Sequence, residues 1–168
     1  LLIDNLFNSR DRYCNEKQLG QIAFEYTWKV NERGDKLSLA NRTRYDWYAL
    51  EYTESNMFDK SGKRYEGTRG YEDEHHWDAD ASANYQMNYR PGGKAEFGYQ
   101  YTSYVEHGDY SITYWDREAQ KFDWQDDLYA PFYYRRQIHS AYAMLTDKFG
   151  PLSVDAGVRA DRTIDKLE

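Results

Sequence analysis

From His75 to Tyr89 (HHWDADASANYQMNY) the chain alternates without a break. Trp77, Ala79, Ala81, Ala83, Tyr85, Met87 and Tyr89 occupy one parity; His76, Asp78, Asp80, Ser82, Asn84, Gln86 and Asn88 occupy the other. Successive side chains of a strand point to opposite faces, so this pattern predicts a β-strand with one apolar and one polar face. It runs well beyond the about 5–6 residues of an ordinary strand. The same period recurs. Gln21 to Asn31 sets Ile22, Phe24, Tyr26, Trp28 and Val30 against Gln21, Glu25, Thr27 and Lys29. Lys36 to about Glu54 sets Leu37, Leu39, Thr43, Tyr45 and Trp47 against Ser38, Arg42, Arg44 and Asp46. There the apolar parity passes to Tyr48, Leu50 and Tyr52, which predicts a β-bulge or an exit from a membrane. Ala95 to His107, Tyr134 to Asp147 and Leu152 to Thr163 complete six strands.

The connections alternate in length. Glu32-Arg33-Gly34-Asp35, Arg90-Pro91-Gly92-Gly93-Lys94 and Lys148-Phe149-Gly150-Pro151 are tight turns by their chemistry. Ser55 to Glu74 and Gly108 to Pro131 read as long polar loops. Long strands with tight turns at one end and long loops at the other predict a fold class of all-β type. It is an antiparallel up-and-down transmembrane β-barrel segment of about six long strands, with short periplasmic turns and long extracellular loops. Residues 1–168 are expected to form part of a single barrel domain in a bacterial outer membrane. The alternative is a soluble β-barrel that turns the same apolar faces inward around a small apolar ligand. Faces built from Tyr, Trp and Ala suit a lipid boundary with interfacial aromatics better than a compact aliphatic core.

Composition adds to the picture. Aromatic residues make up 18 % of the 168 residues, with 18 Tyr and 5 Trp, while mean hydropathy is −1.06. Such a chain is too aromatic for disorder and too polar for an ordinary core. A net charge of −7 argues against nucleic acid as a partner. The single cysteine, Cys14, permits no internal disulfide. No apolar run is long enough for a transmembrane helix, which leaves membrane strands untouched.

Several groups of residues carry possible chemistry. Glu72-Asp73-Glu74-His75-His76-Trp77-Asp78 is the densest set of potential metal ligands, with His76, Asp78 and Asp80 on one face. It lacks the paired spacing of a zinc site and reads as an acidic loop entering a polar wall, so no metal and no cofactor is expected. Arg42, Arg44, Asp78, Asp80 and Arg159 fall on the polar faces and are expected to line a lumen, either meeting a substrate or plug or forming cross-strand ion pairs. Tyr114, Trp115, Trp124 and Tyr129 belong to an aromatic, Asp-rich connection; they read equally as ligand-capturing residues and as a self-packed cap. Catalysis has no foothold. There is no nucleophile elbow or phosphate loop, and Ser140 and His139 are adjacent on a strand, so they point apart.

Ile138-His139-Ser140-Ala141-Tyr142-Ala143-Met144-Leu145, the Lys148–Pro151 turn and Ala156-Gly157-Val158-Arg159-Ala160-Asp161-Arg162-Thr163 resemble the barrel of TonB-dependent outer-membrane receptors of Bacteroidota type. Those barrels carry strands of the form xIxAAYAxL and AGxRxExT; Ala160-Asp161 departs from the second. The resemblance covers about Tyr134 to Thr163. It implies energised uptake of a ligand through a barrel of about 22 strands closed around a plug. It also implies outer-membrane lipid and a TonB-type energy-coupling complex as partners, the latter acting through the plug. No plug-like βαβ pattern is visible, so the chain is expected to be an internal part of a larger barrel, with the plug and the remaining strands absent. A structural or interaction barrel of an outer-membrane or secretion assembly, meeting a surface-exposed partner protein, is the alternative from another class.

Overall fold

The computed structural model describes residues 8–168, apart from the side chains of residues 48–51 and 125–127. Its strands are β1 (Asn8–Lys29), β2 (Lys36–Phe58), β3 (Arg64–Arg90), β4 (Gly93–Asp116), β5 (Lys121–Phe149) and β6 (Leu152–Leu167). They form one antiparallel sheet in chain order, β1-β2-β3-β4-β5-β6. No helix occurs among the described residues.

The strands are longer than the alternation predicts. Ser55 to Glu74 and Gly108 to Pro131 are not open loops. Phe58 pairs with Arg64 and Asp116 with Lys121, so both segments continue the sheet as hairpins closed by tight turns. β1 likewise starts at Asn8, well before Gln21, and is paired from Asn8 opposite Phe58. Period-2 alternation marks a strand whose two faces meet different surroundings. Where both faces meet water, the backbone ladder continues without that signature. The shift of apolar parity near Tyr48 does mark a break in register: the β2–β3 pairing slips between Tyr48 and Glu51, and the β1–β2 pairing slips between Glu16 and Lys17.

Each turn has its own closing device. Between β1 and β2, Val30 N–H donates to the Asp35 carbonyl at 2.8 Å, and Gly34 takes the left-handed φ of +82° that the turn demands. The Asp35 carboxylate accepts from the Asn88 backbone N–H at 2.7 Å and from the Asn31 amide at 2.7 Å, which pins the turn to β3. Those two bonds, the Asn88 N–H first, hold its pKa below the usual carboxylate range. At the β2–β3 tip the Asp59 carboxylate accepts from the Ser61 hydroxyl at 2.6 Å and from the Lys63 N–H at 3.0 Å. Asp116 does the same for Glu118 and Ala119 at the β4–β5 tip.

The register is staggered. β3 runs past Gln86, the partner of Lys36, to Arg90; β5 runs past Thr146, the partner of Lys94, to Phe149. Each short-turn hairpin therefore reaches beyond the one before it, as tilted barrel strands do. Across this register one face collects Trp28, Leu37, Tyr85, Phe97, Ala143 and Val158 in a row, with Tyr26, Leu39, Ala83, Tyr99, Ala141 and Ala160 in the next. No described residue packs over this face. Ala95 is the one buried hydrophobic residue among those described, while Trp77 is 47 % and Val158 75 % exposed. The sheet lacks the closed apolar interior a soluble barrel requires.

Candidate functional site

The opposite face is a continuous polar wall. Arg42 lies directly across from Asp80, and Arg44 across from Asp78. Arg42 Nε donates to the Asp80 carboxylate at 3.1 Å, and the Thr102 hydroxyl donates to the other oxygen of Asp80 at 3.1 Å, so one carboxylate ties β2 to β4 across β3. Arg44 Nε donates to Asp46 at 2.7 Å and stands 3.7 Å from Asp78. Asp46 is fully buried, with Lys17 of β1 3.6 Å away. Arg159 donates to Asp161 at 2.9 Å and to the Ser140 hydroxyl at 3.1 Å, and Arg136 donates to Asp165 at 2.8 Å. The Tyr142 hydroxyl reaches across Gly98 to Asn84 Oδ1 at 2.9 Å. A methyl group on Gly98 would collide with that ring, so glycine is what lets the tyrosine lie flat on the wall.

Further up the same face His76 Nε2 stands 3.2 Å from Glu74 and 3.6 Å from Glu106. The Tyr104 hydroxyl donates to Glu106 at 2.5 Å. Among the described residues, Glu74, His76 and Glu106 are the three side chains that could hold a metal ion, their ligand atoms lying within 4.8 Å of one another. Their chemistry suits a borderline divalent cation. Strand periodicity alone groups His76 with Asp78 and Asp80 on one face. The structure instead joins it to Glu106 on β4, a pairing set by the register of the β3–β4 hairpin.

Of the four aromatic residues read as either ligand-capturing or a self-packed cap, the structure brings Trp124 and Tyr129 together and places Trp115 in a separate cluster. Trp115 and Phe122 pack edge to face at 5.3 Å, and the Arg64 guanidinium sits 4.4 Å over Trp115. Arg69 lies 3.7 Å over Phe122. Both arginines reach Glu54, at 3.4 Å each. This cluster binds the two long hairpins to each other, so Trp115 is a packing residue. Burial alone would raise the Glu54 pKa, but bonds from Tyr52, Asn56 and Arg69 outweigh it and hold the carboxyl at about 2. Trp124 and Tyr129 remain exposed with rings 6.0 Å apart, and Tyr129 donates to Asp109 at 2.8 Å. Tyr114 is adjacent to Trp115 in the strand and points to the other face.

On the apolar face, Trp47, His75 and His107 stack in sequence, at 5.6 Å and 4.8 Å, above Tyr45 and Trp77. Trp28, Tyr89 and Phe149 mark the opposite end of the same face, beside the short turns. Two aromatic bands flanking an apolar stretch, backed by a polar face, are the surface layout of a transmembrane barrel. A family model described as an outer membrane protein beta-barrel family matches residues 28–168. The chain belongs to that family. This outer-membrane barrel protein therefore resides in the bacterial outer membrane, and its antiparallel all-β sheet is the family's architecture. No curated protein matches the chain.

Proposed function

We propose that this sheet is one arc of the wall of a larger, plugged outer-membrane barrel of the TonB-dependent receptor type, which takes up a ligand with energy from an inner-membrane coupling complex. The apolar face meets lipid and the polar face lines the lumen, with the short turns in the periplasm. The observation that carries the reading is the inner wall itself, where Arg42–Asp80–Thr102, Arg44–Asp78, Arg136–Asp165 and Arg159–Asp161 form a ladder spanning β2 to β6. Such a ladder belongs to a wide, wet lumen, because a narrow barrel fills its interior with packed side chains. The outer edges of β1 and β6 have no strand partner among the described residues. An open edge in hydrocarbon costs several kcal/mol per unpaired group, so further strands close the wall.

Conductance of the intact protein in planar bilayers tests the proposal. A plugged receptor gives no steady current until moderate urea unfolds the plug, and a wide pore then opens. Steady current without urea would show an open porin. No current after urea would favour the alternative, a structural barrel of a surface assembly.

A further inference from the structure

The arginines of the polar face between β2 and β6 each have a carboxylate partner: Arg42 with Asp80, Arg44 with Asp46, Arg136 with Asp165, Arg159 with Asp161. Two arginines of the apolar face do not. Arg135 lies opposite Lys166 and Arg162 opposite His139, all four on the face that carries Tyr99, Ala141 and Val158. Neither Arg135 nor Arg162 has an ion pair among the described residues. Arg135 lies near the Tyr101 hydroxyl, which accepts from the Gln137 amide at 2.6 Å. Lys166 does have an acid, Glu168 at 2.8 Å. His139 is held by the Tyr99 hydroxyl at 2.6 Å. The register thus sets Arg135 and Lys166, two like charges, directly opposite each other, a destabilising arrangement in which Glu168 neutralises Lys166 and leaves Arg135 without an acid among the described residues.

The height of the cluster is fixed by the strands. Leu152, Val154, Ala156, Val158 and Ala160 give β6 an uncharged apolar face nine residues long, and a tilted strand crosses hydrocarbon in about 9–11 residues. Arg162 therefore stands at the outer boundary of that band, with Arg135 and Lys166 just above it, in the row next to the one holding His107 and Tyr133. Four residues separate Arg162 from Lys166, about 13 Å along the strand. Long side chains from both ends of that interval can converge on one headgroup.

We infer that Arg135, Arg162 and Lys166, with Gln137 and His139 as polar neighbours, form a docking surface for the phosphorylated headgroup of an outer-leaflet glycolipid. The inference rests on the proposed reading that the apolar face meets lipid. Charge complementarity selects the occupant: the cluster is cationic in a chain of net charge −7, faces outward, and sits at the level of a headgroup rather than of acyl chains. A bidentate guanidinium suits phosphate.

Native mass spectrometry of the intact detergent-purified protein tests it, with monophosphoryl lipid A, its dephosphorylated form and phosphatidylglycerol as probes. The expected result is retention of monophosphoryl lipid A, at least tenfold weaker retention of both other lipids, and a comparable loss in the R135Q/R162Q/K166Q variant. The R135K variant, which keeps the charge, should retain most of the binding. Folding of each variant is checked by heat-modifiable migration on gels. Equal retention by wild type and triple variant, or of the phosphorylated and dephosphorylated forms, would overturn the inference. So would equal retention of phosphatidylglycerol. A nitroxide at Val158 separates the two levels. If it is shielded by lipid but the triple variant binds normally, the docking surface alone is wrong; if it meets water, the lipid-facing reading falls and the inference with it.

Discussion

At the scale of single residues, the polar wall depends on a few carboxylates that serve more than one strand. Asp46 is fully buried between Lys17 and Arg44, and its loss leaves both cations facing each other. Asp46→Leu is expected to destabilise the protein by about 2 kcal/mol, since a removed partner strands a charge. Denaturant unfolding of the micelle-solubilised protein checks it, and Asp46→Asn should cost less. Glu54 gives a pH prediction. Its residue lies beyond the register slip on β2, outside the apolar band, and its pKa falls from 4.5 unfolded to about 2 folded. A depressed carboxyl contributes stability that is complete above the unfolded pKa and fades as pH falls through the folded one. The hairpin cluster around Arg64, Arg69, Trp115 and Phe122 should therefore loosen between about pH 4.5 and 2. Trp fluorescence should report that loosening, and Glu54→Gln should abolish the transition.

At the scale of strands and hairpins, the sequence revealed the membrane-crossing parts and missed what lay above them. From His75 to Tyr89 the two faces differ, so alternation exposes the strand, and the parity shift at Tyr48 exposes the slip. From Arg64 to Glu74 the same strand has polar residues on both faces and reads as loop, although its backbone pairs with β2 over most of that length and with β4 from Thr68 onward. The polar face was legible because Arg42, Arg44, Asp78 and Asp80 each fall on the polar parity of their strand; which arginine meets which aspartate is set by the β2–β3 register. The convergence of Glu74, His76 and Glu106 was not legible, since it needs the β3–β4 register. Nor was the fit of Tyr142 over Gly98. That fit makes an element-level prediction: Gly98→Ala displaces the ring and should cost about 1–3 kcal/mol by overpacking. The cost should shrink when Tyr142→Ala is added, because the two sites are in contact. A double-mutant cycle on unfolding free energy measures the coupling.

At the scale of the whole molecule, the sheet is two regions in one set of strands. The lower region has an apolar and a polar face and resides in the membrane; the upper region is polar on both sides and held by Arg–aromatic packing. The β2 segment from Trp47 to Phe58 extends the wall by roughly 25–35 Å, at about 3.3 Å per residue along a tilted strand. Backbone pairing reaches up to the turns at residues 59–63 and 117–120. Proteases require several residues of unpaired chain, so the two described hairpins offer few places to cut. Within the described hairpins, trypsin applied to intact cells should cleave around Lys60, Lys63, Arg117 and Lys121 at the two tips. Among the described residues, the same pairing makes those two tips the main targets for antibody recognition of flexible chain at this end of the sheet. Any immune or viral pressure on this surface would then act on a handful of turn residues and leave the long hairpin sides, ladder and all, free to stay as they are.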